Sequence, residues 1–257
     1  MSDIKETDVI YRQHPELALQ ARIYRNKSNR KQATIIDIHG GAWTYGDRTD
    51  NALYHRLLAA ADFTTISIDF RHGPDNKHPS AIEDIEAAIE YTRANVDALG
   101  GDPERIGLSG SSSGGHLALL AGITTTQKVD YVLALWPVSD PAYRYAYAQR
   151  ENRTRLVEAH DGYYGSVDDM QAASVQNVLD ASAWNQLPPV LIVQSGEDRN
   201  VPLEMTTELV RAYQSAGGYL EYAFFPGESH CFGHDPSPAT DRFNALIVDF
   251  ARRHSTN

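Results

Sequence analysis

The chain has 257 residues, with Lys+Arg 23 against Asp+Glu 34, a net charge of −11. That balance disfavours nucleic acids and anionic membranes as partners, because both need basic patches to displace counterions. An apolar fraction of 42% excludes a mostly disordered chain, and a single cysteine, Cys231, excludes an internal disulfide.

The start, MSDIKETDVI, is charged and has no apolar h-region, so no signal peptide is expected and the protein is placed in the cytoplasm. Within the first 25 residues, DVIYR and LALQARIY read as an antiparallel strand pair added at a sheet edge. From there short β-rich runs alternate with helical patterns. ATIIDIH (33–39) precedes a helix at 50–61, and FTTISIDF (63–70) precedes one at 80–98. In the latter, Ile82, Ile85, Ala88, Ile89 and Val96 follow helical spacing after Pro79. RIGLS (105–109) precedes a helix at 113–122. The strands YVLALW (131–136), PVLIVQS (189–195) and YLEYAFFP (219–226) follow, with helices at 203–216 and 239–253. Nearly continuous apolar runs mark parallel strands covered on both faces. The alternation predicts an α/β class, a mostly parallel central sheet flanked by helices.

Two stretches depart from that rhythm. Ile106 to Gln127 has no Asp, Glu, Lys or Arg, yet only LALLAGI in it is strongly apolar. A membrane span needs about 20 predominantly apolar residues, so this segment reads as buried and no span is expected. Residues 139–185 then form a connection too long for an ordinary loop. Helices are expected at about 142–160 and 168–179 within it. The segment reads as a helical cap on a core formed by residues 1–138 and 186–257.

The chemistry concentrates in three places. Gly110-Ser111-Ser112-Ser113-Gly114 is a G-x-S-x-G set between a strand and a helix, the context a nucleophile turn requires. Only Ser112 has glycine at both −2 and +2, where side chains would clash on a strained turn. A serine hydroxyl needs a general base and a group to orient that base. The loop after PVLIVQS offers Asp198 as the acid, with Glu197 and Glu228 as competitors. The loop after YLEYAFFP offers His230 as the base, with His234 as competitor. The base must be neutral to act, so activity is expected to rise near the ordinary histidine pKa of about 6.5. The third place is HGGAW (39–43), directly after a strand. Its small residues let backbone N–H groups approach a developing oxyanion. The N–H groups of Gly41, Ala42 and Ser113 are assigned to that hole, with Gly40 as an alternative to Ala42.

These pieces together resemble the α/β-hydrolases of the esterase and lipase type, near the hormone-sensitive-lipase-like acetyl esterases and the arylformamidase-like branch. The resemblance rests on HGGAW (39–43), SIDFRHGPDNKHPSAIEDI (67–85), GDPERIGLSGSSSGGHLA (101–118), GEDRNVP (196–202) and FPGESHCF (225–232). It implies the α/β-hydrolase fold, a brace for the oxyanion loop at His39, and a structural ion pair between Asp69 and Arg71. Two departures stand out. The family's HGGG is HGGA here, and its Arg-Leu-Ala-Pro is Arg71-His72-Gly73-Pro74. His72 is read as loop structure rather than pocket wall.

The expected function is serine carboxylesterase, acting on small to medium esters through an acyl-enzyme. An amide hydrolase with the same triad and a non-catalytic binding fold are the alternatives. Trp43 and Trp136, just past strands, either line the acyl or alcohol pocket or pack. Tyr143 and Tyr147 are the cap tyrosines expected to meet substrate. Cys231 reads as a small buried hydrophobe. With no HExxH and no dinucleotide glycine motif, neither metal nor cofactor is expected. The expected partner is a small-molecule ester. Oligomeric state stays open, a homodimer included.

Overall fold

The computed structural model describes residues 3–27 and 31–255; Met1 and Ser2, which begin the charged N-terminal stretch, lie outside the described residues. Eight strands form one sheet in the order β1-β2-β4-β3-β5-β6-β7-β8. β1 (Lys5–Gln13) and β2 (Ala18–Arg25) are the antiparallel edge pair, and β2 meets β4 (Thr64–Ile68) antiparallel. From β4 onward, β3 (Gln32–Ile38), β5 (Gly101–Ser111), β6 (Val132–Leu135), β7 (Val190–Ser195) and β8 (Leu220–Phe225) run parallel. Every residue of β3, β4, β6 and β7 is buried, which is why apolar residues there do not alternate with exposed polar ones.

Successive side chains on a strand leave opposite faces, and β3 feeds both cores. Ile36 and Ile38 join the side covered by α2 (Ser80–Ala94), α4 (Ser113–Thr124), α8 (Val175–Asp180) and α9 (Leu203–Ser215). Ile35 joins the side covered by α1 (Ala52–Ala60) and α10 (Pro238–His254). α4 carries apolar residues all round and is buried over nearly its whole length, the mark of a central helix. None of the described helices is long and apolar enough to cross a membrane.

Element boundaries moved where capping residues intervene. The helix expected at 80–98 stops at Ala94, and α3 (Val96–Leu99) restarts it for one turn. Asn95 sits at the break, its side-chain amide donating to the Tyr91 carbonyl. Gly100, in the left-handed region at φ 73°, ends α3. β5 starts four residues before RIGLS, at Gly101.

The helices expected at 142–160 and 168–179 are each two. α5 (Pro141–Arg150) and α6 (Thr154–Tyr163) part at a turn in which Asn152 takes φ 53°. α7 (Val167–Ala172) and α8 part where Ser174 stops one helix and its hydroxyl caps the next by accepting the Asn177 N–H. Asp140 caps α5 and Ser166 caps α7 in the same way.

Candidate active site

Ser112 stands between the end of β5 and the start of α4, at φ 57° and ψ −118°. Such a backbone costs of order 1–3 kcal/mol and persists only where the surroundings over-determine it. Here the Ser112 N–H donates to the Leu135 carbonyl at 2.9 Å, and its own carbonyl accepts the N–H groups of His116 and Val138. The flanking glycines are there for space. A Cβ at Gly110 would sit 2.2 Å from the Gly114 carbonyl oxygen, and one at Gly114 would sit 2.0 Å from that of Ile38.

Three serines in a row have three different partners. Ser111 Oγ accepts from the Asn51 amide at 3.4 Å, and Ser113 Oγ accepts the Trp43 N–H at 3.2 Å. Ser112 Oγ lies 2.9 Å from His230 Nε2. On its far side, His230 Nδ1 lies 2.7 Å from Asp198 Oδ2. An Asp198 carboxylate can only accept, so in the neutral imidazole Nδ1 carries the proton and Nε2 is free to take the one on Ser112. The carboxylate is fully buried and is fixed by the N–H groups of Asn200 and Val201 at 2.8 and 2.9 Å on its other oxygen. Glu197 is exposed, and its N–H donates to the Glu228 carbonyl, which ties the two loops through backbone alone. His234 borders the same pocket but makes neither contact.

Burial works against a charged His230. The hydrogen bonds to Asp198 and Cys231 and the Coulomb pull of both outweigh it and raise the imidazole to about 9. That places the loss of its second proton above the value of about 6.5 expected for an ordinary histidine.

Gly40, Gly41 and Ala42 form one wall beside Ser112. Gly41 sits at φ 103°, and a Cβ there would meet the Tyr45 carbonyl oxygen at 1.8 Å. His39 Nδ1 donates to the Gly40 carbonyl at 2.7 Å, and its ring stacks on Phe70 with centroids 4.4 Å apart. None of the hydrogen bonds among the described residues engages the N–H groups of Gly41, Ala42 or Ser113.

The cavity at Ser112 measures about 320 Å³. Its walls are not those expected for substrate contact. Trp43 is fully buried, stacked on Tyr163 and donating from Nε1 to His116 Nδ1 at 3.3 Å. Trp136 is fully buried against Phe232 and Phe243. Tyr143 is 38% exposed and lies outside the cavity walls. The Tyr147 hydroxyl donates to the Arg199 carbonyl at 3.2 Å, so it ties α5 to the Asp198 loop instead of facing Ser112. Residues placed just after a strand by sequence can point into the core or the cleft, and chain order does not choose between them.

Sequence reading missed Tyr45, Asn51, Arg144, Leu156 and Asn200, all on the cavity wall. Only Arg144 left a signal. Pro141, Arg144 and Ala148 are the buried positions of α5, so an arginine occupies the stripe where an apolar residue belongs. Cys231 is half-buried and also on the wall, not in the core. Asp69 pairs with Arg48 at 2.9 Å, and Arg71 pairs with the buried Asp84 and with Glu83, so the expected Asp69–Arg71 pair does not form. His72 packs edge-on against Phe70 and His39, away from the cavity.

Comparison with known proteins places this geometry among relatives. The BD-FAE family model matches residues 22–213. Esterase LipC of Mycobacterium tuberculosis is 29% identical over 256 residues, covering 87% of this chain and 59% of LipC. The isoprenylcysteine alpha-carbonyl methylesterase ICME of Arabidopsis thaliana is 24% identical, covering 89% of this chain and 57% of its own. The chain thus spans less than two thirds of these relatives' length. The solved esterase of Pyrobaculum calidifontis superposes with a TM-score of 0.83 at 21% identity, over 98% of this chain and 84% of that one. The fold is that of the α/β-hydrolases.

Proposed function

We propose that this chain, which belongs to the BD-FAE family, is a serine carboxylesterase acting through an acyl-enzyme. The observation that carries the reading is the relay from Ser112 Oγ through His230 to Asp198, at 2.9 and 2.7 Å. Ser112 Oγ attacks the ester carbonyl and His230 Nε2 takes its proton. Negative charge collects on the carbonyl oxygen, where the N–H groups of Gly41, Ala42 and Ser113 hold it. As the tetrahedral species collapses, His230 returns the proton to the departing alcohol. Water then attacks the acyl-Ser112, activated by the same imidazole. Asp198 keeps the proton of His230 on Nδ1 and stabilises the imidazolium. LipC and ICME, both named esterases, support the ester reading.

Residues 139–185 act in this reading as the cap that shapes the substrate space, through Arg144 and Leu156 on the cavity wall. The cavity suits a small acid or alcohol portion, since about 300 Å³ is the lower end of ligand pockets. The test is a panel of p-nitrophenyl esters with a fluorophosphonate probe. Ester turnover together with stoichiometric probe adduct on Ser112 is expected. An unlabelled Ser112 in folded protein, with no ester hydrolysed, overturns the proposal. A matched phenyl ester and anilide pair tests the amide alternative, and a faster anilide would favour it.

A further inference from the structure

Arg144 is 1% exposed, yet it lies on the wall of the Ser112 cavity. A guanidinium out of water normally has a carboxylate beside it, because an unpaired buried charge costs several kcal/mol. Arg144 has none among its direct partners. Its guanidinium lies 4.8 Å from the Trp43 ring centroid, and its Nε donates to His160 Nε2 at 3.4 Å. That histidine is neutral. Its Nδ1 donates to the Leu156 carbonyl at 2.6 Å, and burial together with the Arg144 charge lowers it to about 3. Arg144 itself is lowered by burial only to about 10, so it stays a cation at neutral pH.

A ring face and a neutral imidazole orient a guanidinium without cancelling its charge. Arg144 Nη2 is buried and has no hydrogen-bond acceptor in the protein. The nearby carboxylates are otherwise engaged. Asp198 holds His230, and Asp50, on the same cavity wall, is exposed and accepts the Asp47 N–H at 3.2 Å. A positive charge is thus preorganised in a poorly solvated wall next to the nucleophile, with donor capacity unspent.

We propose that Arg144 is an anion subsite, and that the enzyme's substrates are esters bearing a carboxylate near the scissile bond. The proposal rests on the esterase reading above and adds the substrate class to it. A carboxylate entering the cavity would receive the unspent donor and complete the ion pair that the fold leaves open. The carboxylate could sit on the acyl or the alcohol portion, and the two are separated by experiment.

For the acyl side, monomethyl adipate is compared with methyl hexanoate. For the alcohol side, 4-carboxyphenyl acetate is compared with 4-carbamoylphenyl acetate. The expected result is a kcat/KM higher by about tenfold to a hundredfold for the anionic member of one pair, the range of a hydrogen bond to a charged group. In Arg144→Gln that ratio should collapse toward one, and Arg144→Lys should restore part of it. Because either variant could fold poorly, the wild-type protein gives an independent measure. Glutarate should inhibit competitively at least about tenfold better than glutaramide. Neutral esters hydrolysed as well as or better than their anionic partners, with no preference for glutarate, would overturn the anion subsite and leave the esterase reading intact. Failure of all four esters, with Ser112 unlabelled by a fluorophosphonate, would overturn the esterase reading instead.

Discussion

The Ser113 hydroxyl accepts the Trp43 N–H at 3.2 Å, and this bond ties the loop proposed to hold the oxyanion to the turn that presents Ser112. Trp43 is fully buried, so its N–H is a fixed point from which the preceding Ala42 and Gly41 are hung. The two halves of the site come from strands β3 and β5, adjacent and parallel in the sheet.

That bond separates the three serines by experiment. Ser112→Ala should remove about a millionfold of kcat while leaving the circular dichroism spectrum and melting temperature unchanged. Ser113→Ala loosens the oxyanion loop and should lower kcat by up to about a hundredfold, as small misplacements do. Ser111→Ala loses only a 3.4 Å contact with Asn51 and should have the smallest effect. Ester hydrolysis by well-folded Ser112→Ala at the wild-type rate would remove Ser112 from the mechanism.

The pH profile should betray the Asp198–His230 pair. With His230 raised to about 9, kcat/KM should climb from pH 6 toward pH 9 rather than level off near 7. Asp198→Asn removes one of the two raising partners and leaves Cys231 and the burial that lowers His230, so the limb should move to lower pH while kcat falls by about 10⁴. Stability follows the same linkage. Since the folded pKa lies above the unfolded one, the pair's contribution is full below about 6.5 and is lost as pH rises through 9. Melting temperatures of wild type minus Asp198→Asn, measured from pH 6 to 10, should show that decline.

Gly41→Ala should be among the most damaging changes that add only one methyl group. The new Cβ would lie 1.8 Å from the Tyr45 carbonyl oxygen, at a φ of 103° that L residues rarely adopt. The loop must move, so kcat should fall by about a hundredfold or more, with a smaller change in the binding of a product acid. Calorimetry of product binding alongside steady-state kinetics checks the split. Unchanged kcat would show that the loop does not serve the reaction.

Trp43→Ala should act on stability first. The ring packs against Tyr163, Tyr164, His116 and His160, and its removal leaves a cavity worth about 3–5 kcal/mol. Tyr143→Ala, at a 38% exposed position off the cavity wall, should change both stability and the ester-chain-length profile little. Chemical denaturation and an acyl-chain panel on the two variants test the contrast. A shifted chain-length preference in Tyr143→Ala would return that side chain to the substrate path.

The sequence by itself determined the layered α/β fold, because parallel strands buried on both faces show apolar residues without strict alternation and their helices must alternate with them. It also determined which loops would face one another. Ser112, Asp198 and His230 each follow a strand at the same end of the sheet, and register brings such loops together whatever lies between them. Chain order admits Glu197 and Asp198 alike, and the buried, doubly N–H-fixed carboxylate that singles out Asp198 is a tertiary feature. What only the tertiary structure decided was direction. A tryptophan after a strand turns into the core or the cleft according to its neighbours' volumes, and Trp43 and Trp136 both turned inward. Arg144 shows the opposite case. Its position in the sequence reads as one of two arginines in a polar helix, and the fold carries it inward to the cavity beside Ser112 because Pro141 and Ala148 on the same stripe must be buried.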